Sequence, residues 1–94
     1  MHYLVVSFSH KNTDLVTREK IALESESKRA EVAKKLLCCD SINEVILLST
    51  CNRVEFIASA IDPFEASRTI FETIASYSGI DMEELEGRAD VYED

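Results

Sequence analysis

The sequence predicts a single α+β domain of the split βαβ type, an antiparallel sheet with its helices on one face. Three observations lead there. Four short segments carry strand-type patterning, two longer ones carry helical periodicity, and in chain order they read β-α-β-β-α-β. The 94 residues suit one small core and leave no room for a second.

Residues 3–8 (YLVVSF) are rich in β-branched and aromatic side chains and read as a buried first strand. The polar stretch 9–17 follows as a loop, with Thr17 placed to cap a short turn over 17–23. Ser25 or Ser27 caps a helix to about Cys39, with Ala30, Ala33, Leu36 and Leu37 on one face and charged residues on the other. Asp40 and Ser41 break it. Residues 44–50 hold a continuous apolar run, which suits a strand partly covered on both faces.

Residues 53–60 alternate, placing Val54, Phe56, Ala58 and Ala60 on one side and Arg53, Glu55, Ile57 and Ser59 on the other. Cys51 and Asn52 then sit at the chain reversal. Asp62-Pro63-Phe64-Glu65 is a strong helix start: Asp62 accepts from a first-turn amide, Pro63 suits N1, and Glu65 stands at the capping-box position. That helix runs to Ser78 and ends at Gly79, with Ile70, Phe71, Ile74, Ala75 and Tyr77 at helical spacing. Asp81 and Glu84 open a single-turn helix, and residues 89–93 form a fourth strand. The order is ferredoxin-like, an architecture that enzymes, regulatory domains and RNA binders share.

Composition narrows the function classes. Ten Lys and Arg face 18 Asp and Glu, a net charge of −8, which excludes broad electrostatic binding to nucleic acid or anionic membrane. A polyanionic partner must be gripped locally. Three cysteines leave an odd thiol and no disulfide framework, so a reducing, cytoplasmic setting is expected. No run of 18 apolar residues suggests a membrane span, and the N-terminus lacks a basic leader region. No C-x-x-C or H-x-x-x-H pair suggests a zinc site, and the two glycines, Gly79 and Gly87, make no phosphate-binding loop. The strand-like pattern of VYED at the end points to a piece of a longer chain.

Chemistry concentrates in Ser49-Thr50-Cys51-Asn52-Arg53, where a polar stretch follows the most apolar strand. One reading makes Cys51 a small apolar residue and Asn52 a turn residue in the left-handed region. The other makes Cys51 a nucleophile, because a neighbouring guanidinium favours the thiolate and also grips carboxylates bidentately. A small carboxylate with an electrophilic carbonyl would then be the substrate. His10, just past the first strand, is a further polar candidate.

The string Ile46-Leu47-Leu48-Ser49-Thr50-Cys51-Asn52-Arg53-Val54-Glu55 resembles the active-site signature of the glutamyl-tRNA reductases. Upstream, Ser9-His10-Lys11 and Arg18-Glu19-Lys20 stand where that family carries an Asn-His-Lys run and an Arg-Glu-basic run. The resemblance covers essentially the whole chain as the family's N-terminal catalytic domain, without its NADPH-binding and C-terminal dimerisation domains. It implies that Cys51 attacks the ester of glutamyl-tRNA and that the glutamyl thioester is reduced with NADPH to glutamate-1-semialdehyde, opening tetrapyrrole synthesis. Arg53 would anchor the substrate carboxylate, Thr50 would orient the substrate, and His10 and Glu55 would line or buttress the pocket.

The same resemblance implies a homodimer in the full-length protein and hand-over of product to glutamate-1-semialdehyde aminomutase. Two departures stand out. Ser7, Ser9 and Asn12-Thr13-Asp14 replace the family's usual residues around the first motif, and Tyr92 stands where many members have a histidine associated with assisting the chemistry. A tyrosine there shares hydrogen bonds but is a poor proton shuttle at neutral pH. The competing class is a non-catalytic ferredoxin-like module that binds a ligand or regulates, with Cys51 packed inertly in its core.

Overall fold

The strand read over 3–8 pairs with the alternating strand over 53–60 at the centre of the sheet. A computed structural model describes residues 1–94, with β1 (His2–Ser9), α1 (Leu15–Ile21), α2 (Glu26–Leu37), β2 (Ile42–Ser49), β3 (Arg53–Ala60), α3 (Pro63–Ser78), α4 (Met82–Arg88) and β4 (Asp90–Glu93). The sheet order is β2-β3-β1-β4, every neighbouring pair antiparallel. This is the ferredoxin-like split βαβ arrangement. No helix is long and apolar enough to cross a membrane.

Residues opposite each other in an antiparallel pair share a face, so the register assigns the two sides of the sheet. Leu4 faces Ala58, Val6 faces Phe56 and Phe8 faces Val54, and all six are buried beneath the helices. Ile21 and Leu23, Val32 and Leu36 of α2, Ile70, Phe71 and Ile74 of α3, and Leu85 of α4 complete a single apolar cluster. Phe8 meets Phe71 edge-on, centroids 6.4 Å apart, the favoured geometry for aromatic quadrupoles. The other face is open: Tyr3, Ile46, Leu48 and Tyr92 are exposed there.

The α3 boundaries follow the expected chemistry. Asp62 accepts from the amides of Phe64 and Glu65, Pro63 occupies the first turn, and Gly79 ends the helix at φ 75°. Glu65, however, does not fold back as a capping-box partner. Its carboxylate accepts instead from the Ser41 hydroxyl at 2.9 Å, tying the α3 start to the β2 approach. At the far end the Tyr77 hydroxyl donates to the Ile21 carbonyl at 2.7 Å, joining α3 to the end of α1. Burial pushes the Tyr77 phenol well above its ordinary range.

Further expectations need correction, α4 among them, which runs for seven residues rather than a single turn. Helix α1 starts at Leu15, inside the stretch read as loop, because extended Asp14 takes the N-cap position and its carbonyl accepts from Arg18. In α2 the buried residues are Val32 and Leu36, while Ala30 and Leu37 face solvent. The two faces share Leu36, and packing against β2 turns the helix so that Val32 rather than Leu37 joins it in the core. Finally, β2 lies at the sheet edge and is covered on the helix side through Val45 and Leu47 rather than partly on both faces, with Ile46 64% and Leu48 41% exposed on the other. A continuous apolar run reads alike in either position.

Candidate active site

The site forms where β2 turns into β3. The Thr50 amide donates to the Arg53 carbonyl at 2.8 Å, closing a turn with Cys51 and Asn52 at its tip. The reverse bond is made differently. The Thr50 hydroxyl accepts from the Asn52 and Arg53 amides, both at 3.2 Å, standing in for the carbonyl a regular ladder would use. No residue other than glycine has positive φ, so Asn52 is not in the left-handed region one reading gave it. Cys51, at the tip, is exposed and free. The inert-module reading expected that thiol in the core.

Arg53 and Glu55 lie two residues apart on β3 and therefore project from the same, open face. The Glu55 carboxylate stands 3.5 Å from the Arg53 guanidinium and accepts the Ser7 hydroxyl at 2.9 Å. Glu55 is the more enclosed partner, its side chain 16% exposed against 51% for Arg53. The guanidinium is thus steered from below and left with free donors above, an arrangement suited to a carboxylate ligand.

The β1–α1 loop is latched onto the turn. The His10 amide donates to the Asn52 carbonyl at 3.0 Å, so His10 borders the site through its backbone while its side chain is exposed. Asn12 braces the loop, accepting from the Ser9 amide at 2.9 Å and the Thr13 hydroxyl at 2.7 Å and donating to Asp90 at 3.0 Å. Tyr92 shares the open face but pairs with Val5, whereas Arg53 pairs with Ser9. Four residues of strand, about 13 Å, separate those levels. The structure therefore does not bring Tyr92 up to the Cys51 thiol.

On the helix side of the turn lies a recess of about 360 Å³ that Cys51 shares with Ser49, Thr50 and residues of α1 and the α1–α2 loop, among them Arg18, and with Arg29 of α2. Within it the Ser49 hydroxyl accepts from the Leu23 amide at 3.0 Å, fixing the α1–α2 loop against the end of β2. Sequence reasoning noted Arg18 only as part of a matching run and did not single out Arg29. No group of three or more His, Cys, Asp or Glu is disposed to hold a metal.

Comparison with known proteins gives the family. The family model described as "Glutamyl-tRNAGlu reductase, N-terminal domain" matches residues 6–94. The chain belongs to that family. Among curated proteins named glutamyl-tRNA reductase, it is 61% identical to that of a Nitratiruptor species, 51% to that of Wolinella succinogenes and 48% to that of Sulfurimonas denitrificans, over all 94 residues in each case. It spans 22% of the length of each of these relatives. In this glutamyl-tRNA reductase N-terminal domain, the matched region takes in the turn carrying Cys51, the Arg53–Glu55 pair and the α1 recess.

Proposed function

We propose that this domain performs the acyl-transfer half of glutamyl-tRNA reduction, with Cys51 as acceptor. The observation that supports this most directly is an exposed thiol at the tip of a braced turn, beside a guanidinium that Glu55 holds on the open face. The Cys51 sulfur bonds to the ester carbonyl carbon, the C–O bond to the terminal ribose breaks, and the ribose oxygen leaves with the thiol proton. A glutamyl thioester and free tRNA result. The thioester is more open to reduction than the ester, which divides one difficult step into two easier ones.

Arg53 is assigned to the side-chain carboxylate of the glutamyl group, so that charge separates glutamate from glutamine. Thr50 acts by holding the turn, and Glu55 by orienting Arg53. His10 lines the rim, and Tyr92 is left with no more than an indirect part in proton transfer. Reduction to glutamate-1-semialdehyde, the entry to tetrapyrrole synthesis, is assigned to NADPH on a separate domain. The residues here do not fit that cofactor, because Gly79 closes a helix and Gly87 lies within one, leaving no glycine-rich cradle. Dimerisation through a C-terminal domain and product transfer to an aminomutase are proposed on family grounds alone.

The test is to incubate full-length protein with glutamyl-tRNA without reductant and map the adduct by mass spectrometry. A glutamyl adduct on the Cys51 peptide, absent from Cys51→Ser, is the expected result. Adduct on Cys38 or Cys39 instead, or reduction retained by Cys51→Ser, overturns the proposal.

A further inference from the structure

Arginine partners in this domain divide unevenly. Arg53, Arg68 and Arg88 each pair with a carboxylate, Arg53 with Glu55, Arg68 with Glu72, and Arg88 with both Asp14 and Glu84. Arg18 and Arg29 pair with none. Each uses one nitrogen on a backbone carbonyl, Arg18 on Thr13 and Arg29 on Leu23, and the Arg18 Nε is buried with no hydrogen-bond partner. A guanidinium has five N–H donors, so most of their capacity is unspent. Both line the recess that Cys51 borders.

We infer that this recess receives the 3′-terminal nucleotide of the acyl donor, with Arg18 and Arg29 facing its 5′-phosphate. The inference rests on the reading of Cys51 as acceptor from glutamyl-tRNA and adds the location of the leaving group. The turn divides two environments: Arg53 projects from the open face of the sheet, and the recess lies on the helix side. An ester attacked at its carbonyl carbon sends its acyl chain and its alkoxy group in different directions. Cys51 stands between a carboxylate anchor on one side and paired cations on the other.

The lining suits a nucleotide rather than a bare anion. Leu15 is 55% exposed at the recess, a large apolar side chain with no core function, and offers a surface for a base. Its volume of about 360 Å³ falls within the range of small-ligand sites, about 300–1,000 Å³. Glu19 and Glu24 also line it but are exposed, whereas Arg18 and Arg29 are half-buried, so the cations lie in the less screened part. The two carboxylates are acceptors for ribose hydroxyls. A net charge of −8 makes such a local grip necessary, because the domain as a whole repels a polyanion.

The test uses two small donors with full-length protein, 3′-O-glutamyl-adenosine 5′-monophosphate and 3′-O-glutamyl-adenosine, and reads the rate of adduct formation on Cys51. The wild type is expected to prefer the phosphorylated donor by roughly 10- to 100-fold, the worth of charge-assisted hydrogen bonds. The ratio of the two rates collapses toward one in Arg18→Gln and Arg29→Gln and is partly restored by lysine at either position. Equal wild-type rates with the two donors overturn the inference, and that comparison needs no variant at all. A Gln variant that slows both donors in proportion, leaving the ratio unchanged, also overturns it. If glutamyl-tRNA acylates Cys51 while the ratio is one, only the recess assignment fails; if no donor acylates Cys51, the underlying reading fails with it.

Discussion

The Glu55 carboxylate oxygen that accepts the Ser7 hydroxyl at 2.9 Å is the same oxygen that faces Arg53 at 3.5 Å. Ser7 and Glu55 are register partners across β1 and β3, so strand pairing itself sets the position of the guanidinium.

Replacing Glu55 by Gln keeps an acceptor for Ser7 and removes the charge that steers Arg53. Stability to urea should change by less than about 1 kcal/mol, since a half-exposed ion pair contributes little. The KM for glutamyl-tRNA in the full-length protein should rise several-fold. Glu55→Ala should cost about 1 kcal/mol more in stability, because the buried Ser7 hydroxyl loses its acceptor. Equal KM values for wild type and Glu55→Gln would show that Arg53 is positioned by something else.

Thr50 holds the turn through its hydroxyl, so Thr50→Val and Thr50→Ser should differ sharply. Valine leaves the Asn52 and Arg53 amides without that acceptor and should cost about 1 kcal/mol, while serine should cost a few tenths. Native iodoacetamide labelling, followed by peptide mass spectrometry, should show an altered Cys51 rate in the valine variant alone. Cys39 should label slowest in every variant, being half-buried with its sulfur accepting from Thr69 at 3.4 Å.

The two glycines should respond to alanine with opposite signs. At Gly79 an added Cβ meets nothing within 4 Å, yet φ of 75° is strained for any L side chain, so Gly79→Ala should cost about 1 kcal/mol. Gly87 lies in α4 with ordinary φ and open space for a Cβ, and Gly87→Ala should stabilise by about 0.5 kcal/mol. Denaturant midpoints of the two variants check this directly.

Tyr77 should make stability fall at alkaline pH. Its folded phenol titrates above its unfolded value, so its contribution is fully present below about pH 10 and is lost as pH rises from there toward the folded value. The slope from this one group approaches about 1.4 kcal/mol per pH unit between those limits. Tyr77→Phe lacks the slope and also loses the hydrogen bond to Ile21, about 1 kcal/mol at neutral pH. Urea titrations at about pH 8 and about pH 11 should therefore show the two proteins converging at the higher value.

Much of the fold was legible in the chain because its signals are local. β-branched and aromatic content in 3–8 and alternation in 53–60 marked the two central strands, and Asp62, Pro63 and Gly79 bounded α3 through caps that involve neighbouring residues only. The Cys51 and Arg53 signature marked the candidate site for the same reason. Glu65 shows the limit: its capping-box position was readable, but Ser41, 24 residues earlier, competes for its carboxylate.

By itself, the sequence determined the order of elements, the family and the identity of the exposed thiol's segment. Only the tertiary structure decided that Val32 and Leu36 face the core, that β2 lies at an edge, and that Arg18 and Arg29 line the recess that Cys51 borders. Periodicity and capping act over a few residues and can be read along one dimension. Which face is covered, and which distant cations converge, depends on contacts between segments far apart in the chain, where several local patterns are equally good and burial energy chooses among them.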